Sequence, residues 1–288
     1  MSTELDHELG ESIALDAETA RGRGRARMLG SMRSAPPWAG AIVGIVLIVL
    51  VWWAISAIFF ARSQAVPYPS SVAVALVRDL ADPVFWSAIG NTAAAAGWGY
   101  LWGNVIAFAL AFLVLLVPWL DGLATQLAVV CSCVPLTAIG PIVAIMTQVG
   151  SHATSIFLAA ISVVFTSVVG ALLGLRAASR SQLDLVRAYG GGALTELIKV
   201  RLVAALPSIF AALKIAAPAA FLGSVLGEYY LLNVDSGLGI QLLAAQSDNA
   251  SVRLWALAFT CAGVAGFAYW AIGAIGRLVS PWSSGEAR

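Results

Sequence analysis

The sequence predicts an all-α fold, a polytopic helical membrane protein of about six transmembrane helices, and three observations carry that prediction. Of the 288 residues, 60% are apolar and only 11% are charged. Mean hydropathy is +0.89, a value no soluble domain of this size approaches. Between residues 83 and 175 the one formally charged residue is Asp121, so the interval is long enough for several bilayer crossings of about 20 residues each.

Residues 1–34 are polar, an acidic half followed by "RGRGRARMLG", and lack the apolar pattern needed to fold alone. They read as a disordered cytoplasmic tail. An Arg/Gly run beside a first span fixes topology and touches anionic lipid, which is the reading preferred here over nucleic-acid binding. The apolar run that follows is too long for a signal-peptide core, and no convincing small-x-small cleavage site accompanies it.

Breaking the apolar runs at polar and Pro/Gly clusters gives spans at 39–60, 88–117, 123–149, 154–175, 208–232 and 252–275. Residues 35–280 therefore form the membrane domain, followed by a short tail at 281–288. Orientation follows from the basic residues. Arg21, Arg23, Arg25, Arg27 and Arg33 precede the first span, and Arg176, Arg180, Arg187, Lys199, Arg201 and Lys214 surround the fourth connection. With six spans these lie on one side with Arg277 and Arg288, leaving Arg62, Arg78 and Arg253 opposite. The positive-inside rule puts both termini and that connection in the cytoplasm.

Catalytic and metal-binding classes find little support. Cys131, Cys133 and Cys261 fall within spans, with no second Cys pair, and His7 and His152 lie on opposite sides by this topology, so no metal site is expected. The chain's two lysines, Lys199 and Lys214, follow no phosphate-cradling Gly-rich loop. The adjacent Ser151 and His152 read as a polar turn and not as a nucleophile with its base, because neighbours rarely face one another and no nucleophile elbow surrounds them. The expectation is a protein with neither cofactor nor catalytic residues.

The informative stretch is the fourth connection, residues 176–207, and above all "LDLVRAYGGGALTELIKVRLVAALP" at 183–207. A connection this long is unusual in a compact bundle, and long loops tend to be functional. Asp184, Leu185, Val186, Arg187, Ala188 and Tyr189 have helical composition. Gly190, Gly191 and Gly192 then let the chain turn through left-handed dihedrals. From Ala193 an apolar helical pattern resumes as far as Pro207. The picture is a surface helix, a sharp turn and a re-entering helix, a protrusion that a cytoplasmic partner can grip.

This stretch resembles the cytoplasmic EAA loop of permease subunits in ATP-binding-cassette importers. Asp184 stands at that pattern's acidic position, Arg187 at its basic one and Gly190 at its glycine, and "VRLVAALP" ends the match at Pro207. Leu185 and Val186 replace a pair of small residues, Gly191 replaces Ala, and Val203 replaces the first Pro. Two further segments resemble the branch that carries nitrate, sulfonate, taurine and similar small solutes. These are "VPYPSSVAVALVRDL" and "LGEYYLLNVDSGLGIQLLAAQSD", the latter with Glu228 and the turn from Gly237 to Gly239.

The resemblance implies a MetI-like bundle of the type I importers, without catalysis of its own. A second permease subunit, identical to the first, would share the path. A pair of cytoplasmic ATP-binding subunits would receive the loops, and an extracytoplasmic solute-binding protein would deliver a sulfonate, taurine, nitrate, bicarbonate or vitamin precursor. It places the chain in a bacterial inner membrane. Glu228, Gly237 and Gly239 are candidates for translocation or gating, although Glu228 is read first as a structural residue that pairs with a neighbouring amide or reaches the outer interface. Lys214 is read as snorkelling to headgroups. A secondary transporter driven by an ion gradient is the competing class, but it calls for paired broken helices and midplane carboxylates that this chain does not offer.

Overall fold

The computed structural model describes residues 37–117, 135–230 and 236–282, with isolated positions at 122, 126, 129, 130 and 133. The tail at 1–34, most of 281–288, Asp121, Cys131 and the first part of the third span fall outside the described residues. Nine helices are found among those described. They are α1 (Pro37–Phe59), α2 (Pro69–Leu80), α3 (Pro83–Leu116), α4 (Leu136–Met146), α5 (Ala153–Leu175), α6 (Arg180–Ala188), α7 (Ala193–Glu228), α8 (Leu238–Ser247) and α9 (Ser251–Val279).

Five of these, α1, α3, α5, α7 and α9, are long and apolar enough to cross a membrane. They correspond to five of the six spans read from the sequence. Within the third, the described helix is α4, 11 residues long. The fifth differs most from expectation. Helix α7 begins at Ala193 and runs 36 residues without interruption, so Pro207 and Pro218 both lie inside it. Its second turn, Leu197–Arg201, has π geometry, in which the Leu202 N–H reaches back to the Leu197 carbonyl. Pro135, by contrast, caps the start of α4, where its missing N–H costs nothing.

The chain forms two compact units, divided between Pro69 and Ser70. In the first, α1 exposes apolar side chains all round, from Ile42 to Phe59, as a lipid-facing helix does. Its one buried residue, Ser56, donates from Oγ to the Val66 carbonyl at 2.7 Å. Trp53 lies beside Tyr68, ring centroids 6.1 Å apart.

In the second unit, α5 is the centre, packed between α3 and α7, with α9 against the other side of α7. Small residues make this approach possible. Helix α3 carries Gly99 and Gly103, α5 carries Gly170 and Gly174, and α7 carries Gly223 and Gly227, each pair four residues apart on one face. Gly103 abuts Val163 and the Ala160 carbonyl, Gly174 abuts Ala205, and Gly223 abuts the Leu158 carbonyl. Within hydrocarbon no hydrophobic force draws helices together, so close backbone contact of this kind must do so. Buried polar side chains also join helices inside the bundle. Buried Ser167 donates to Asn104 Oδ1 at 2.6 Å, joining α5 to α3, and the Tyr100 hydroxyl donates to the Leu213 carbonyl at 3.2 Å, joining α3 to α7.

Candidate functional site

Helix α6 starts with a complete capping box. Ser179 Oγ accepts from the Gln182 N–H at 3.3 Å, and Gln182 Oε1 accepts from the Ser179 N–H at 3.0 Å. The helix ends in a Schellman turn: the Gly191 N–H bonds the Val186 carbonyl at 2.8 Å and the Gly190 N–H bonds that of Arg187 at 2.9 Å. Of the three consecutive glycines only Gly190, at φ +77°, takes the left-handed conformation. Gly191 is needed for a different reason. A Cβ there would lie 2.9 Å from the Val186 carbonyl oxygen. Gly192 is extended and caps α7.

One ion pair fastens this turn. Arg187 Nε donates to Glu196 Oε1 at 2.6 Å and its Nη2 to Oε2 at 3.4 Å, a two-pronged contact between α6 and the first turn of α7. The hydrogen bond and charge of Glu196, with a smaller contribution from Asp184, hold the Arg187 guanidinium above its ordinary pKa. Arg187 is therefore occupied inside the protrusion. Leu183 is buried and Val186 half-buried, whereas Asp184, Ala188 and Gly192 are exposed. Leu185 is 60% exposed and Tyr189 87%. The protrusion thus presents apolar side chains outward on a rigid frame.

The second group of sequence-predicted residues comes together at the other end of α7. Glu228 is 1% exposed, and its Oε2 accepts from the Gly239 N–H at 2.7 Å. The turn wraps the carboxylate closely. A Cβ on Gly237 would lie 2.6 Å from Glu228 Cδ, and one on Gly239 would lie 2.7 Å from Glu228 Cβ. The next amide, that of Leu238, donates to Thr92 Oγ1 at 2.9 Å, and Asn91 Nδ2 donates to Ser236 Oγ at 2.5 Å, so α3 holds the same turn. Pairing of Glu228 with a neighbouring amide is what the structure contains. Glu228 Oε1 is buried without a hydrogen-bond partner.

Pro207 stands apart from both groups, within α7 and beyond the π turn. Glu196, Ser179, Gln182 and Thr92 were not among the sequence candidates. The Ser-x-x-Gln spacing was legible as a capping box. The Arg187–Glu196 pair was not, because their separation matches no helical repeat until the chain reverses at Gly190. The Ser151 hydroxyl donates to the Gln148 carbonyl at 2.8 Å, consistent with a polar turn. Cys133 is exposed and Cys261 half-buried, both as free thiols.

The described residues thus form a helical membrane bundle with a capped, apolar-tipped protrusion between two spans. Residues 103–282 match the family described as binding-protein-dependent transport system inner membrane component, and the chain belongs to that family. This is the permease component of an ATP-binding-cassette importer. Two curated relatives agree. One, a probable ABC transporter permease protein of Haemophilus influenzae, is 29% identical over 149 residues, 52% of this chain and 58% of its own length. The other, the formylaminopyrimidine transport permease protein ThiX of Halalkalibacterium halodurans, is 23% identical over 236 residues, 82% of this chain and 93% of its own.

Proposed function

We propose that this chain forms half of a solute path that opens alternately to either side of the membrane, driven by cytoplasmic ATP-binding subunits that grip α6 and the turn at Gly190. The observation that carries the reading is the protrusion itself. Its frame is locked by the capping box, the Schellman turn and the Arg187–Glu196 pair, while Leu185 and Tyr189 stand exposed among the described residues. A locked frame transmits force, and an exposed aromatic fills a cleft. A second copy of the chain completes the path, and a solute-binding protein delivers cargo on the opposite side. Closure of the ATP-binding pair draws the two protrusions together and rocks the bundles.

The termini and the protrusion lie on the cytoplasmic side in this reading. Cysteines introduced at Ser2 and Gly192 are then shielded from impermeant thiol reagents in intact cells, and one at Asn233 is labelled. For the solute, the relative named for formylaminopyrimidine covers most of both chains. A small nitrogen heterocycle of vitamin-precursor type is therefore favoured over nitrate, taurine or another sulfonate. Thermal-shift screening of the cognate binding protein against both groups separates them.

The coupling assignment is tested by Tyr189→Asp, which places an unpartnered charge in the cleft. Loss of such an anchor costs about 2 kcal/mol, roughly thirtyfold in binding. The variant inserts normally but loses co-purification of the ATP-binding subunit, transport, or both, while the exposed control Ser181→Ala loses neither. Normal transport by Tyr189→Asp at normal subunit stoichiometry refutes the assignment.

A further inference from the structure

Between α7 and α9, toward the end of the bundle that carries α6, lies a crevice of about 460 Å³. Its walls include Pro207, Phe210 and Lys214 of α7, Tyr269 and Arg277 of α9, and Ser280 just past the end of α9. Two cations face one space, and among the described residues no acidic side chain lines it. Lys214 is deep. Helices α5 and α7 run antiparallel, with Gly174 near the end of α5 set against Ala205, and Lys214 lies about 14 Å further along α7 at about 1.5 Å per residue. That is close to half of a hydrocarbon core about 30 Å thick.

The pocket is shaped around the lysine. The Lys214 ammonium sits 4.3 Å from the centroid of the Tyr269 ring. Its stem lies along Gly273, where a Cβ would come 3.2 Å from Lys214 Cε and any larger side chain would close the crevice. Because side chains on a helix lean toward its N-terminus, the ammonium is directed back toward the crevice mouth. Arg277 follows Gly273 by one helical turn in the same direction. A cation at this depth without a carboxylate calls for an anionic partner from outside the chain.

We propose that this crevice binds the headgroup of an anionic phospholipid from the leaflet on the α6 side, its phosphate between Lys214 and Arg277. The rim selects a lipid over a dissolved anion. Ile215 lines the crevice and is 56% exposed, an apolar contact for an acyl chain, and Trp282 lies exposed just past the last turn of α9, a position typical of headgroup level. The α7 wall of this site begins at Pro207, beyond the π turn that leads from the protrusion. A lipid held there would brace the helix through which the α6 protrusion acts.

The test uses the full-length protein in mild detergent, with lipid retention read by native mass spectrometry. The probes are phosphatidylglycerol and phosphatidylethanolamine of identical acyl chains, with inorganic phosphate as competitor. The wild type retains phosphatidylglycerol preferentially, and Lys214→Gln and Arg277→Gln each lower that preference about fivefold, the amount expected for one cation near a charged surface. The double variant abolishes it. Arg253→Gln, at the opposite end of α9, leaves it unchanged. Equal retention of the two lipids by the wild type overturns the proposal without recourse to any variant. So does a preference that survives Lys214→Gln/Arg277→Gln, and displacement of the lipid by millimolar phosphate reassigns the crevice to a soluble anion.

Discussion

Placing a methyl group on Gly237 tests how the carboxylate of Glu228 is held. The added Cβ would lie 2.6 Å from Glu228 Cδ and 2.8 Å from Oε1, about 1 Å inside ordinary contact. Glu228 is buried, so the carboxylate yields only by surrendering its 2.7 Å bond from the Gly239 N–H or by pushing the turn away from α3. Either response costs about 1–3 kcal/mol. In Glu228→Ala the colliding atoms are gone, and the same methyl enters vacated space at a cost below about 0.5 kcal/mol. The prediction is therefore the coupling. Gly237→Ala lowers the melting temperature by about 4–8 °C in the wild type and by less than about 2 °C in the Glu228→Ala background. Thermal unfolding of the four proteins in one detergent at one scan rate measures it. Additive losses in the double variant refute the account of a turn moulded on the carboxylate, whatever Glu228→Ala does alone.

The other predictions follow from the protrusion and the helix contacts. Arg187→Glu sets two carboxylates face to face at the start of α7 and uncouples nucleotide hydrolysis by the partner from transport, while Arg187→Glu/Glu196→Arg recovers much of the coupling in reconstituted vesicles; no recovery means that Arg187 serves the partner directly. Gly103→Leu drives a side chain into Val163 and the Ala160 carbonyl, separates α3 from α5 and lowers the yield of folded protein in gel filtration, whereas Gly97→Leu, with no neighbour within 4 Å, is tolerated. Asn104→Leu orphans the buried Ser167 hydroxyl and costs about 1–3 kcal/mol in thermal unfolding, and adding Ser167→Ala restores part of that loss.

The sequence by itself determined the solvent, the helical class, the placement of the five long spans found among the described residues, and the location of the protrusion, because each is written in local composition. A run of about 20 apolar residues needs no distant partner to be recognised. A glycine that must turn left-handed is likewise a local requirement, and Gly190 is where the helix ends. The third of the three glycines has no such requirement, and Pro207 did not stop α7. A proline removes one hydrogen bond that a packed bundle supports, and α5 and α9 flank α7 on both sides. Only the tertiary structure decided which polar groups meet. Arg187 finds Glu196 after a reversal of the chain, Glu228 finds the amide of Gly239, Thr92 finds that of Leu238, and Lys214 shares a crevice with Arg277. In a membrane nearly every residue is apolar, so pattern cannot assign faces, and long-range pairing is fixed by where backbones come close enough to touch. The glycine pairs on α3, α5 and α7 are the nearest thing to a written instruction for that, and they acquire their meaning only when the opposing helix is in place.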